Sequence, residues 1–249
     1  MAIGSLSAEK RHAVLTDLLE KSGSLDLAEA AEACGVSEMT IRRDLQQLES
    51  RGLVKRVRGG AVSVEPERFE RRVAMNRSAK IKIASKLGTL IPARGMIGMD
   101  SSTTLHAFAL RSDALDVEVF TTGIENFLAM RGKAKRVVLS GGELEEATDN
   151  LVGPVALKAL EDFYFARSFI SISALHPDFG ATDSTIETAA FKRALRVRSG
   201  EIVLATDSSK FMTTAANLSL PLSEIDVLVT ELDPDDPLLD PFRDHVEIL

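Results

Sequence analysis

A single cysteine, Cys34, in 249 residues excludes an internal disulfide, and four scattered histidines without cysteine partners give no metal-ligand spacing. Neither a structural metal nor a cofactor is expected. No apolar run approaches the roughly 18 residues of a membrane span. The opening Met1-Ala2-Ile3-Gly4-Ser5 also lacks the basic start and long apolar core of a signal peptide. A cytoplasmic protein with no membrane contact is the expectation. Positive charge is scarce too: the formal net charge is -7, which at first sight opposes a nucleic-acid partner, because affinity for DNA comes mostly from neutralised phosphates.

The distribution of charge reverses that reading. Residues 1–64 hold nine Lys/Arg and nine Asp/Glu, so all the excess acid lies in the remaining 21 against 28. Within the neutral part, Arg42, Arg43, Arg51, Lys55, Arg56 and Arg58 face only Asp44 and Glu49. That is a local basic patch suited to one oriented DNA contact. With 45% hydrophobic and 27% charged residues the chain is ordinary globular protein. A change of pattern near residue 62 favours two unequal domains.

In the first sixty residues, Ser7 caps a helix reaching about Lys21, with Val14, Leu15, Leu18 and Leu19 at helical spacing. Asp26 with Glu29 three residues on opens a short second helix that Gly35 stops. Ser37 caps a third. Only three residues separate Ala33 from Ser37, so the second and third helices meet at a tight turn, which is helix-turn-helix geometry. Ile41, Leu45 and Leu48 form one buried stripe on the third helix, and at about 100° per residue Met39, Arg42, Arg43, Gln46 and Gln47 project from the other side. An isolated Arg-Arg pair would mean a solvated face. Here it stands behind a tight turn and ahead of Leu53 to Gly60, whose short apolar segments, basic residues and Gly59-Gly60 turn read as a wing hairpin. The DNA-contacting set is Ser37, Met39, Thr40, Arg42, Arg43, Gln46 and Gln47 on the helix, with Lys55, Arg56 and Arg58 in the wing.

The run Gly35-Val36-Ser37, Thr40-Ile41-Arg42-Arg43-Asp44-Leu45, Leu48-Glu49, Gly52 and Arg58-Gly59-Gly60-Ala61 resembles the N-terminal signature of DeoR-type bacterial transcription regulators. The resemblance implies that the third helix is the recognition helix and gives that role to Thr40, Arg42 and Arg43.

A linker is expected over 63–79, between a winged helix-turn-helix over 1–62 and a domain over 80–249. From Ile81 short apolar strands (96–99, 117–120, 136–139, 169–172, 202–205 and 227–229) alternate with amphipathic helices (about 80–90, 103–110, 124–131, 153–161 and 185–198). That alternation predicts a mostly parallel α/β sheet covered on both faces. Ligands of such sheets bind beyond the carboxyl ends of the strands. Four strands here run into small polar loops, from which the effector-binding set is Asp100, Ser101, Ser102, Thr103, Thr104, Thr122, Gly123, Gly142, Asp207 and Lys210. Hydroxyls and backbone N–H groups at helix starts make an anion cradle, and Lys210 adds positive charge.

The large domain also looks like the DeoR-family sensor domain, so the resemblance spans about residues 7 to 230. It implies a fold similar to ribose-5-phosphate isomerases and coenzyme A transferases, and a small phosphorylated sugar or derivative as effector. Two positions depart from that pattern: Ser102 replaces a loop glycine, and Gly123-Ile124 replaces Asn-Ser. The reading is a DNA-binding regulator, by resemblance a repressor of carbohydrate use, bound to double-stranded operator DNA. A homo-oligomer is expected, because one helix-turn-helix buries too little surface for strong specificity. The alternative is an isomerase-like enzyme with Asp100 or Glu143 as base, disfavoured because the run that supplies acidic catalysis in those isomerases corresponds to Phe169–Leu175, which has no carboxylate. His106 follows the polar loop and is more readily structural than ligand-binding. Cys34, Phe163, Tyr164 and Phe165 read as core, and Asp233–Pro241 as a loosely packed tail.

Overall fold

The computed structural model describes residues 7–22, 24–50, 53–57, 59–63, 69–146 and 148–249. They divide into two compact units, Met1–Glu67 and Arg68–Leu249.

The smaller unit runs α1 (Ala8–Ser22), β1 (Ser24–Asp26), α2 (Leu27–Cys34), α3 (Glu38–Ser50), β2 (Val54–Val57) and β3 (Gly60–Ser63). Asp26 caps α2 by accepting from Ala28 and Glu29 N–H, and Gly35 ends it at φ 65, a left-handed angle glycine adopts without Cβ strain. β3 lies between β1 and β2, antiparallel to both. β1 is a strand that the sequence pattern does not signal, since three residues are too few to show alternation. Leu15, Leu19, Ile41, Leu45, Leu48, Val54 and Cys34 form the core of this unit.

The larger unit opens with α4 (Phe69–Ala74) and α5 (Arg77–Gly88). Much of the expected linker is therefore helical, because Phe69 buries its ring and anchors α4 to the domain. There follow β4 (Met96–Met99), α6 (Thr103–Arg111), β5 (Leu115–Thr121), α7 (Ile124–Met130), β6 (Ala134–Leu139), β7 (Glu143–Glu145), β8 (Asn150–Val152) and α8 (Gly153–Ala159). The chain closes with β9 (Arg167–Ile170), β10 (Ala174–His176), β11 (Gly180–Asp183), α9 (Ile186–Val197), β12 (Ile202–Ala205), β13 (Asn217–Leu220), β14 (Val227–Val229) and β15 (Glu247–Ile248).

Seven strands form one sheet in the order β15-β14-β12-β9-β4-β5-β6, every pair parallel. This is the expected α/β architecture, with six of its strands where the apolar runs place them. Both faces are covered, as the period-two alternation along the strands requires. Met99, Val119, Phe169 and Val203 pack with Ile83 and Leu87 of α5 and Phe108 of α6. Phe120, Ile170, Ile202 and Leu204 pack on the other face with Phe191 and Leu195 of α9.

Three features depart from the expectation. β10, β11 and β13 make a separate antiparallel sheet, in segments whose small and polar residues hide a strand period. Tyr164 is 76% exposed, its ring covered by the Arg198 guanidinium instead of by the core. The C-terminal segment is packed: Leu239 and Phe242 are fully buried and β15 pairs with β14. Two large apolar side chains outweigh the acidic and proline-rich residues around them.

Candidate functional site

In the smaller unit α3 carries the expected division of faces. Ile41, Leu45 and Leu48 are buried, while Met39, Arg42, Arg43, Gln46 and Gln47 are exposed. Ser37 holds the start of the helix: its Oγ accepts from Thr40 N–H at 3.3 Å and lies 3.0 Å from Thr40 Oγ1. Both residues thus spend polar atoms on the cap. Lys55 is exposed on β2. Arg56 is exposed too, but it donates through Nε to Glu49 Oε2 at 2.6 Å, and its backbone N–H reaches Glu49 Oε1 at 2.9 Å. This pair ties the wing strand to α3. Arg58 lies outside the described residues.

Sequence reasoning missed Asp44. It is buried 3 residues beyond Ile41, and Arg11 of α1 grips it through Nε at 2.7 Å and Nη2 at 3.0 Å, with His12 Nε2 at 3.3 Å. Burial alone pushes this carboxyl up, but the Arg11 hydrogen bond and charge, with His12 behind them, bring it below the ordinary carboxylate range. Asp44 therefore subtracts nothing from the exposed basic face. Its position on the Ile41–Leu45–Leu48 side of the helix was the available signal.

In the larger unit the polar loops leave the carboxyl edge of the parallel sheet. Asp100 follows β4 and is buried; its Oδ1 accepts from Ser102 N–H at 2.9 Å and its Oδ2 from Ser171 N–H at 2.7 Å. Ser102 caps α6 by accepting from Leu105 N–H at 3.2 Å, so Thr103 and Thr104 stand in the first turn, where helix N–H groups lack internal partners. Thr104 Oγ1 accepts from Ser171 Oγ at 3.4 Å. The next loop packs against this one: a Cβ at Gly123 would meet Ser101 Cα at 2.8 Å. Asn126 locks both by donating to Asp100 O at 2.8 Å and Ser102 O at 3.3 Å. Thr122 Oγ1 is buried without a hydrogen-bond partner in this structure.

Gly142 and Lys210 lie farther apart than the sequence reading assumed. Gly142 follows β6 and Lys210 follows β12, and β5, β4 and β9 stand between those strands. At about 4.8 Å per neighbour their strand ends are roughly 19 Å apart. The compact group is Asp100 to Thr104 with Thr122 and Gly123. Asp207 is buried, its Oδ1 accepting from Ser209 N–H at 3.2 Å and Asn76 Nδ2 at 2.8 Å. Lys210 is half-buried at the same corner.

A second cation went unread. Lys192 of α9 is buried with its Nζ 2.6 Å from Asp183 Oδ2 and 3.6 Å from Asp100 Oδ2, and it also donates to Ser171 O. Asp183 in turn accepts from Ser173 N–H at 3.2 Å and Ser219 Oγ at 2.6 Å. A carboxylate thus does stand beside the 169–175 segment, delivered by β11 and fully engaged. Buried charges persist when paired and hydrogen-bonded in this way.

Residues 75–232 match the model of the DeoR C terminal sensor domain, and residues 11–67 that of the DeoR-like helix-turn-helix domain. The chain belongs to the DeoR family of transcription regulators. It is 30% identical to the lactose phosphotransferase system repressor of Streptococcus mutans, over 92% of this chain and 94% of that one. It is 29% identical to the L-fucose operon activator of Haemophilus influenzae, over 89% and 91%. Among solved structures, ribose 5 phosphate isomerase A from Neisseria gonorrhoeae aligns with 14% identity and a TM-score of 0.36, over 54% of this chain and 53% of that one. Among the described residues no helix is long and apolar enough to cross a membrane, and no cluster of three or more His, Cys, Asp or Glu is placed to hold a metal.

The two departures from the DeoR pattern have local reasons. Ser102 sits at φ -69, an angle any residue adopts, and uses its side chain as a cap. Gly123 lets the loop after β5 approach Ser101 more closely than a side chain permits.

Proposed function

We propose that this DeoR-family regulator represses a carbohydrate-utilisation operon and is released from operator DNA by a small phosphorylated sugar or derivative. The observation that carries the DNA half is the exposed Met39, Arg42, Arg43, Gln46 and Gln47 face of α3, set opposite a fully buried stripe. Arg pairs bidentately with guanine and Gln with adenine in the major groove. The effector half rests on the cradle at the sheet edge, where the first turn of α6, the hydroxyls of Ser101, Thr103, Thr104 and Thr122 and, at the far corner, Lys210 favour an anion with hydroxyl groups. The relatives named for lactose and fucose control support a sugar as its source.

The protein acts in the cytoplasm as a homo-oligomer reading repeated half-sites, and it is not an enzyme. Asp100, the best-placed candidate base, spends both carboxylate oxygens on backbone N–H groups, which leaves it poorly suited to proton transfer. Footprinting on the DNA upstream of its own gene, beside a turnover assay with pentose phosphates, tests this reading. Protection of a repeated sequence without turnover is expected. Turnover without protection overturns it.

A further inference from the structure

Helix α4 is the first element of the larger unit and follows the helix-turn-helix unit in sequence. Within the larger unit this short helix packs on α6 and reaches the turn between β7 and β8, and Asn76, two residues beyond it, reaches the loop after β12. Phe69 sets its ring edge-on to His106, with centroids 5.2 Å apart, and both are buried. His106 Nδ1 lies 3.2 Å from Asn126 Oδ1, and Asn126 holds the carbonyls of Asp100 and Ser102. Arg72, stacked on Phe69 at 5.7 Å, donates to Thr148 O at 3.5 Å, in the loop between β7 and β8. Beyond α4, Asn76 Nδ2 donates to Asp207 Oδ1 at 2.8 Å and to Ser209 Oγ at 3.0 Å.

Asn76 is the telling residue. An asparagine that begins a helix ordinarily accepts from the N–H groups of the first turn. Asn76 begins α5, makes no such cap and adopts φ 49, a left-handed angle disfavoured for most side chains. Its amide is turned instead onto the loop that carries Asp207 and Lys210. Lys80 keeps α4 tied from below by donating to Arg72 O and, at 2.7 Å, to Met75 O.

We propose that α4 and Asn76 are the relay of the regulator: Asn76 latches the helix to the 207–209 loop, Phe69 and His106 join it to the 100–102 loop, and effector binding is transmitted to the DNA-binding unit through these contacts. The relay rests on the effector site proposed above, and it makes Asn76 and Phe69 positioning residues rather than ligand contacts. Occupying a cradle whose loops are linked to α4 through His106 and Asn126 and through Asn76 shifts the balance between latched and unlatched α4, and only that differential reaches the DNA.

Two measurements on the full chain test it. The first needs no ligand. Amide hydrogen exchange is compared for wild type, Asn76→Asp, which sets two carboxylates against each other, and the exchanged pair Asn76→Asp with Asp207→Asn, which restores a donor and an acceptor. Exchange over 69–76 and over 207–211 is expected to rise together by roughly tenfold or more in the single variant, about 1.4 kcal/mol, and to fall back in the pair. Unchanged exchange in Asn76→Asp, or a rise in one segment alone, overturns the latch.

The second measurement titrates ribose 5-phosphate and glucose 6-phosphate against the complex with the chain's own upstream DNA, for wild type and Asn76→Ala. Wild type is expected to lose operator affinity by about 5- to 150-fold, the range of ordinary allosteric coupling. Asn76→Ala is expected to bind the sugar phosphate and the DNA within about threefold of wild type while coupling falls below about twofold. Full coupling in Asn76→Ala overturns the relay and leaves the effector site standing. Sugar phosphate bound by wild type with no change in DNA affinity overturns the effector reading, and the relay with it.

Discussion

Arg42 and Arg43 stand on α3 opposite Ile41, Leu45 and Leu48, so truncating either changes what the helix presents and not what holds it. Arg42→Ala and Arg43→Ala are each expected to weaken operator binding by at least tenfold, since a bidentate base contact is worth about 1 to 3 kcal/mol and an oligomer loses it in each subunit. Their melting temperatures should match wild type. Gel-shift titration beside a thermal melt checks both halves, and wild-type affinity in either variant contradicts the assignment. Asp44 is the opposite case, exposed to nothing and essential to packing. Asp44→Asn should cost about 3 kcal/mol at neutral pH, because it leaves the Arg11 guanidinium without its buried counter-charge. A carboxyl held below its ordinary value stabilises the fold fully above about pH 4 and loses that contribution as pH falls through the lowered value. The difference between wild type and Asp44→Asn, read from urea dependence of α3 amide exchange, should therefore shrink on moving from pH 7 to pH 3. A difference that persists undiminished places the stabilisation elsewhere.

At the scale of elements, the wing separates two arginine and lysine roles that look alike in sequence. Lys55 projects from β2, while Arg56 is bound to Glu49. Lys55→Ala should weaken binding to all DNA sequences about equally and reduce the salt slope by about one, as loss of one phosphate contact does. Arg56→Ala should also loosen the wing itself, seen as faster amide exchange in β2. Equal salt slopes for Lys55→Ala and wild type contradict the phosphate role. The C-terminal segment gives a second test. Phe242→Ala should cost about 3 to 5 kcal/mol, the usual loss for a fully buried aromatic, where a loosely packed tail would lose almost nothing. The elements that sequence pattern made legible are those whose period is long enough to see: α3 with its i, i+4, i+7 stripe, and six strands with runs such as Ile202 to Ala205. β1, β10 and β11 carry small and polar residues such as Ser24, Asp26, His176, Gly180 and Thr182 in place of an apolar run, and the burial of Leu239 and Phe242 depends on a surface supplied by residues far away in the chain.

For the whole molecule, the same distinction decides how much of the proposed effector site was legible. Loop chemistry after a strand marks Asp100 to Thr104 and Thr122-Gly123 as one edge, and the parallel sheet sets them side by side. What a linear reading lacks is strand order, so it gathered Gly142 and Lys210 into one group although three strands separate those on which they follow. It also placed Asp100 among the effector contacts. Asp100→Ala would remove the acceptor of two backbone N–H groups and damage the domain, so Lys210→Ala is the cleaner probe of the cradle. The proposed regulation depends on one coupling, between an anion at the sheet edge and DNA on α3. The direct measurement is a titration of sugar phosphates and their unphosphorylated parents against the complex of full-length protein and operator, repeated with Lys210→Ala. At least one phosphorylated sugar should lower operator affinity by about 5- to 150-fold, its parent should have little effect, and Lys210→Ala should blunt the response while binding DNA as wild type does. Release by unphosphorylated compounds alone, or an undiminished response in Lys210→Ala, would contradict the account.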